Sequence, residues 1–225
     1  MLQEIEKRQN SMKMEELNRI NPQLHIQDIH DASFQTYGRI IESDIEEAIL
    51  YVEKSIHPQK TVSLYLASIK DIEELSSIQK LSVMIYGYMD VMAGIVTGCN
   101  HVLNGIEYHQ GSETIIAVTD FVLIVGHIWD MKGHTYDSSL CELFYVPKGT
   151  IVECYSTTLH YTPVCVSNEG FCTICMLLKH TGDSIERQGI LKKKNKWFIA
   201  HCDNKEKIAS GDYPGLLGEM IKINY

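Results

Sequence analysis

From Leu81 onward, short runs rich in Val, Ile, Tyr and Phe are cut at close intervals by Gly, Asn, Asp and Pro. β-branched and aromatic side chains suit a pleated, half-buried surface, and the residues between the runs are those that turn a chain. The pattern predicts strands at 81–88, 91–98, 113–118, 121–128, 141–146, 150–156, 160–166, 171–178 and 196–201. So many short strands, with no internal repeat, are the signature of a closed antiparallel β-barrel or sandwich.

The first 80 residues have a different character. Leu2, Ile5, Met12, Leu17 and Ile20 stand among charges, which predicts a weakly amphipathic helix that packs on the barrel or on a second subunit, as in a homodimer. Ser43-Asp-Ile-Glu46 has the form of a capping box, and Ile45, Ala48, Ile49, Val52 and Ile56 follow at helical spacing until His57-Pro58. A strand over Val62–Leu66 and a short helix from Asp71 to about Lys80 complete this part. The expected plan is therefore mainly β. Residues 1–80 form an α/β extension on a barrel over 81–225, and the tail from Gly211 to Tyr225 tucks back onto it.

Charge and cysteine usage exclude several function classes. A net charge of -9 disfavours nucleic acid as a partner, since phosphate binding needs a basic stripe. The one basic run, Lys192-Lys-Lys194, reads as a solvated turn. No apolar stretch approaches the roughly 18 residues needed to span a bilayer, and no hydrophobic leader opens the chain, so a cytoplasmic location without membrane contact is expected. The seven cysteines are odd in number and mostly lie in apolar runs, which fits free thiols in a reducing compartment. Cys172 and Cys175 have CxxC spacing, but a strand sends their side chains to opposite faces.

Two segments carry the candidate chemistry. In Glu107-Tyr-His-Gln-Gly-Ser-Glu113, residues two apart share a face of extended chain, so Glu107 and His109 point together, and Glu113 rejoins them if the Gly111 region stays extended. In Gly149-Thr-Ile-Val-Glu-Cys-Tyr-Ser-Thr-Thr-Leu-His160, the imidazole of His160 ends a strand pair and is the natural fourth ligand. Two carboxylates and two imidazoles suit a divalent transition metal such as Zn, Mn, Fe or Ni. Glu153, Tyr155 and Glu142, on neighbouring expected strands, are the candidate catalytic proton-transfer residues. The remaining histidines at 101, 127, 134, 180 and 201 read as surface or satisfied core residues.

These spacings resemble the two motifs of the cupin family. Glu107 stands at the place of the first motif's first histidine, His109 at the second, Glu113 at the glutamate, and Asp120 at the trailing glycine. In the second motif Gly149 and His160 match, while Tyr155, Thr157 and Val164 replace Pro, Gly and Asn. The ordered landmarks Phe34-Gln-Thr-Tyr-Gly-Arg-Ile-Ile-Glu42, Glu107–Glu113, Phe144-Tyr-Val-Pro-Lys-Gly149 and Leu159-His160 resemble those of ureidoglycolate lyases. The whole chain also resembles an uncharacterised bacterial group of cupin-like proteins. The resemblance implies a cupin-type barrel with a metal in its mouth. The expected activity is isomerisation, epimerisation or lysis of a small sugar, sugar acid or hydroxy acid. The rival expectation is a non-catalytic cupin that binds or senses a metabolite.

Overall fold

A computed structural model describes residues 2–56 and 63–225. In chain order the elements are α1 (Leu2–Ile20), β1 (Ile26–Asp28), β2 (Gly38–Ile40), α2 (Glu46–Ser55), β3 (Leu64–Leu66), α3 (Lys70–Glu73) and α4 (Ser76–Tyr86). The strands that follow are β4 (Val91–Gly98), β5 (Gly105–Tyr108), β6 (Glu113–Ala117), β7 (Phe121–His127), β8 (Tyr136–Asp137), β9 (Glu142–Val146) and β10 (Ile151–Cys154). The chain continues with β11 (Thr158–Leu159), β12 (Val164–Cys165), β13 (Phe171–Leu178), β14 (Leu191–Lys193), β15 (Lys196–Ala200), α5 (Lys205–Ala209) and β16 (Leu216–Leu217).

Two sheets face each other. One runs β1-β9-β7-β11, with β12 also paired to β7, and the other runs β2-β10-β6-β13-β4-β3. Their pairings are antiparallel except for β1 on β9. Between them lies one core, in which Ile115 and Ala117 of β6 meet Phe121, Leu123 and Val125 of β7. The alternate residues of each strand point outward. Ile116, Ile151 and Ile174 pack under α2, α3 and α4, whereas Val122, Ile124 and Tyr145 pack under α1 and the small sheet β14-β15-β5. The period of two along each strand thus makes one barrel interior and two covered outer faces. The chain is mainly β, an antiparallel two-sheet barrel to which the residues before 81 contribute the edge strands β1, β2 and β3 as well as covering helices. No helix among the described residues is long and apolar enough to cross a membrane.

The first helix packs on the barrel through Met14, Leu17 and Ile20, while Met12 remains exposed. Three local expectations need correction. Residues 81–88 are not a strand but the end of α4, whose Ile78, Leu81 and Ile85 make a helical stripe against the core; Met84, Tyr88 and Met89 are exposed rather than barrel core. The helix after Ser43 starts at Glu46, and its amide is received by the Asp44 carboxylate at 3.1 Å instead of a Ser43 cap. The segment 160–166 carries only β12, because the chain bends between β11 and β12 to pair with opposite ends of β7. His57-Pro58 and Val62 lie outside the described residues. Cys172 and Cys175 do face opposite sides of β13, one under the helices and one inside the barrel.

Candidate metal centre

Glu113 begins β6 and shares its parity with Ile115 and Ala117, so its carboxylate points into the barrel. His160 follows β11 and exchanges both backbone hydrogen bonds with Glu107, at 2.7 and 2.9 Å. That pairing sets the two side chains beside each other on one face. His109 reaches the same place by another route. The chain is not extended at Gly111, which has φ +83°; the left-handed residue bends the chain and brings His109 back over Glu113.

The result is a buried cluster in which one carboxylate oxygen, Glu113 Oε2, lies 3.0 Å from His109 Nε2 and 2.9 Å from His160 Nε2. The two rings meet edge to face with centroids 5.0 Å apart. Each imidazole donates its other nitrogen to a backbone carbonyl, His160 Nδ1 to Thr158 at 2.9 Å and His109 Nδ1 to Gly111 at 3.3 Å. A carbonyl only accepts, so Nδ1 carries a proton; Nε2, turned to the cluster, donates to the Glu113 carboxylate when the ring is charged and presents a lone pair to an ion when it is neutral. This outer hydrogen bond is what orients a histidine that ligates a metal. The three donor atoms lie within 4.8 Å of one another and could hold a metal ion. Two imidazoles and one carboxylate suit a transition metal better than Mg²⁺ or Ca²⁺, which favour oxygen cages.

Burial alone would raise the Glu113 carboxyl, but hydrogen bonds from His109 and His160 outweigh it and hold the group well below the usual carboxylate range. Burial would likewise lower His160; the Glu113 hydrogen bond and the charges of Glu113 and Glu107 raise it instead. Cys175 lines the same space, and burial reinforced by the Glu113 charge pushes its thiol well above the usual value.

The cluster opens into a cavity of about 240 Å³, walled on one side by Tyr65, Tyr161 and Phe198. Glu107 lines it too, but its Oε1 accepts from Lys196 Nζ at 2.9 Å, which holds it apart from the three-residue cluster. Burial would lower Lys196, and Glu107 more than compensates. The three residues expected to move protons stand elsewhere. Glu153 has the outward parity of Ile151 and binds Arg39 at 2.6 Å; Glu142 accepts from Tyr37 Oη and Gln27 Nε2; Tyr155 sits in the turn beyond β10. None of them lines the cavity. Lys196, Tyr65 and Tyr161, which do, were not singled out in the sequence because their strands join the site only through pairing with β4 and β5 or through the turn after β11.

A family profile described as "Domain of unknown function (DUF4867)" matches residues 26–221. No curated protein matches the chain. Among solved structures, salicylate 1,2-dioxygenase from Pseudoaminobacter salicylatoxidans, crystallised as adducts with gentisate, is similar at 8% identity and TM-score 0.31, over 68% of this chain and 34% of that one. Procruciferin, an 11S globulin from Brassica napus, is similar at 9% identity and TM-score 0.26, over 76% of this chain and 33% of that one. The chain spans about a third of the length of these structures.

Proposed function

The chain belongs to the family described as a domain of unknown function, DUF4867, and from the geometry of its buried cluster we propose that it is a metal-dependent cupin enzyme. In this reading it isomerises, epimerises or cleaves a small sugar, sugar acid or hydroxy acid. The observation that carries it is the convergence of His109 Nε2 and His160 Nε2 on Glu113, each ring fixed from behind by a backbone carbonyl. A structural histidine pair has no need of two such orienting bonds aimed at one point; a ligand set does.

In this reading His109, Glu113 and His160 hold the ion. A bound divalent transition metal would polarise a substrate hydroxyl or carbonyl and acidify the adjacent C–H bond. Lys196 places a fixed positive charge on the cavity wall, where negative charge develops on a substrate losing a proton. Glu107, held beside it, is the carboxylate positioned to accept that proton. Phe198 and Tyr65 limit the water around the reacting group.

A second reading, a non-catalytic metabolite-binding cupin, is favoured by the position of Glu153, Glu142 and Tyr155 away from the cavity. The test is elemental analysis of protein purified without a histidine tag, with a His109→Ala/His160→Ala variant as control. Near-stoichiometric Zn, Mn, Fe or Ni in the wild type and its loss in the variant are expected. Absence of metal in both, even after incubation with these ions, overturns the metal-dependent mechanism.

A further inference from the structure

Of the basic run at 192–194, only Lys194 lies in an exposed turn; Lys192 and Lys193 belong to β14 and are partly buried. Leu191 and Lys193 pair with β15 through a register shift, and such a bulge lets successive residues aim at one side. Lys192 and Lys193 both line the cavity that holds Glu113 and His160, and Lys196 joins them from the next strand.

The surrounding cations exceed the acids that hold them. Lys192 Nζ lies 2.6 Å from Asp212 Oδ2 and 4.3 Å from the centre of the Phe198 ring, and the same buried Asp212 also serves Arg187 at 3.4 Å. Lys207 donates to Tyr161 Oη at 2.9 Å and stands over the rings of Tyr161 and Phe198, groups that orient an ammonium without neutralising it. Lys196 has Glu107. Among the described residues, Lys193 has only the neutral Ser184 hydroxyl at 3.3 Å. Burial lowers Lys192, the charges of Lys207 and Arg187 add to that, and the hydrogen bond to Asp212 opposes it. A chain of net charge -9 has thus gathered a positive field at one cavity wall.

We propose that this lysine wall binds the anionic group of the substrate, so the cavity takes a small polyol bearing a carboxylate or phosphoryl oxyanion and rejects its neutral counterpart. The inference rests on reading this cavity as the substrate site. Lysine is a common partner for such groups, and a charge placed away from the metal ligands fixes which end of the substrate meets them.

Calorimetric titration of the full chain with D-gluconate, D-glucose 6-phosphate, inorganic phosphate and neutral D-glucitol tests it, on wild type and on Lys192→Gln/Lys193→Gln. Binding of the anions but not of glucitol, weakened roughly tenfold or more in the variant, is the expected result. Gluconate alone identifies a carboxylate, and phosphate with glucose 6-phosphate alone identifies a phosphoryl group; both outcomes support the inference. Glucitol bound as tightly as gluconate, no anion bound by the wild type, or undiminished anion affinity in the variant overturns it. If the double variant does not melt cooperatively, Lys193→Gln, which leaves Asp212 paired, carries the same comparison with a smaller loss. Metal content is read on the same samples. Protein without metal that still binds anions through these lysines refutes the metal reading alone, and metal-loaded protein indifferent to anions refutes this inference alone.

Discussion

Glu107 and Lys196 form an ion pair with both side chains largely out of water, so removing one partner leaves the other as an uncompensated charge. Lys196→Met is expected to lose on the order of 3 kcal/mol in urea melts. Glu107→Gln/Lys196→Met, which removes both charges, should lose distinctly less. Gly111 is a second sensitive position. Its φ is left-handed, and an added Cβ would meet Leu178 Cδ1 at 2.7 Å. Gly111→Ala therefore shifts the carbonyl that receives His109 Nδ1. Metal affinity should fall about 10- to 100-fold with all three ligands intact, as for other outer-sphere changes, measured by competition with a chromophoric chelator. His109, Glu113 and His160, which converge in the structure, stood out in the sequence as polar side chains at short spacing in apolar strands, whereas Glu107, expected beside them as a fourth ligand, is held by Lys196. Two facts were not legible there. The partner of Glu107 lies 89 residues downstream, and the bend at Gly111 replaces the extended segment on which the face-sharing argument relied.

The elements around the barrel are joined by a few polar contacts that have a definite pH signature. Asp120, in the turn after β6, accepts from Lys13 of α1, from the Lys148 amide and from Tyr145 Oη. Burial would raise its carboxyl, but these hydrogen bonds and the Lys13 charge bring it below its usual value. A carboxyl lowered on folding stabilises the protein above its unfolded value, about 3.9, and that contribution disappears as pH falls through the folded value. Stability should decline below about pH 4, and the decline should be shallower in Asp120→Asn, by thermal melts across an acid series. This contact was outside the reach of pattern reading, which gave Asp120 only the place of a missing glycine. The strand expected at 81–88 failed for a related reason: an apolar run of that length fits either period, and Tyr86 Oη, bonded to the Met176 carbonyl and to Thr114, fixes the helical choice from β13 and β6. Strands with strong alternation or continuous apolar character, such as β7 and β13, fell where expected. The short β1 and β2 did not, because each is a strand only by virtue of its neighbour, β9 or β10.

Across the whole molecule, the three proposed ligands come from segments on either side of β7, so an ion bound to them ties the barrel mouth together. At free metal a hundredfold above Kd, binding to the folded state alone adds about 2.7 kcal/mol. A chain of this size should respond with a rise in Tm of about 5–10 °C. A chelator should reverse the rise, and His109→Ala/His160→Ala should show none. A Tm indifferent to metal and chelator alike would contradict the ligand set.

The two ends of the described chain are also tied. Buried Asn21, at the close of α1, donates its side-chain amide to the Asn224 carbonyl and accepts from the Asn224 amide with its Oδ1. These partners are separated by 203 positions. On a ribosome adding roughly 5–20 residues each second, the first helix waits some tens of seconds for its clasp. Until then α1 lacks this polar clasp, and its hold on the barrel rests on other contacts such as those of Met14, Leu17 and Ile20.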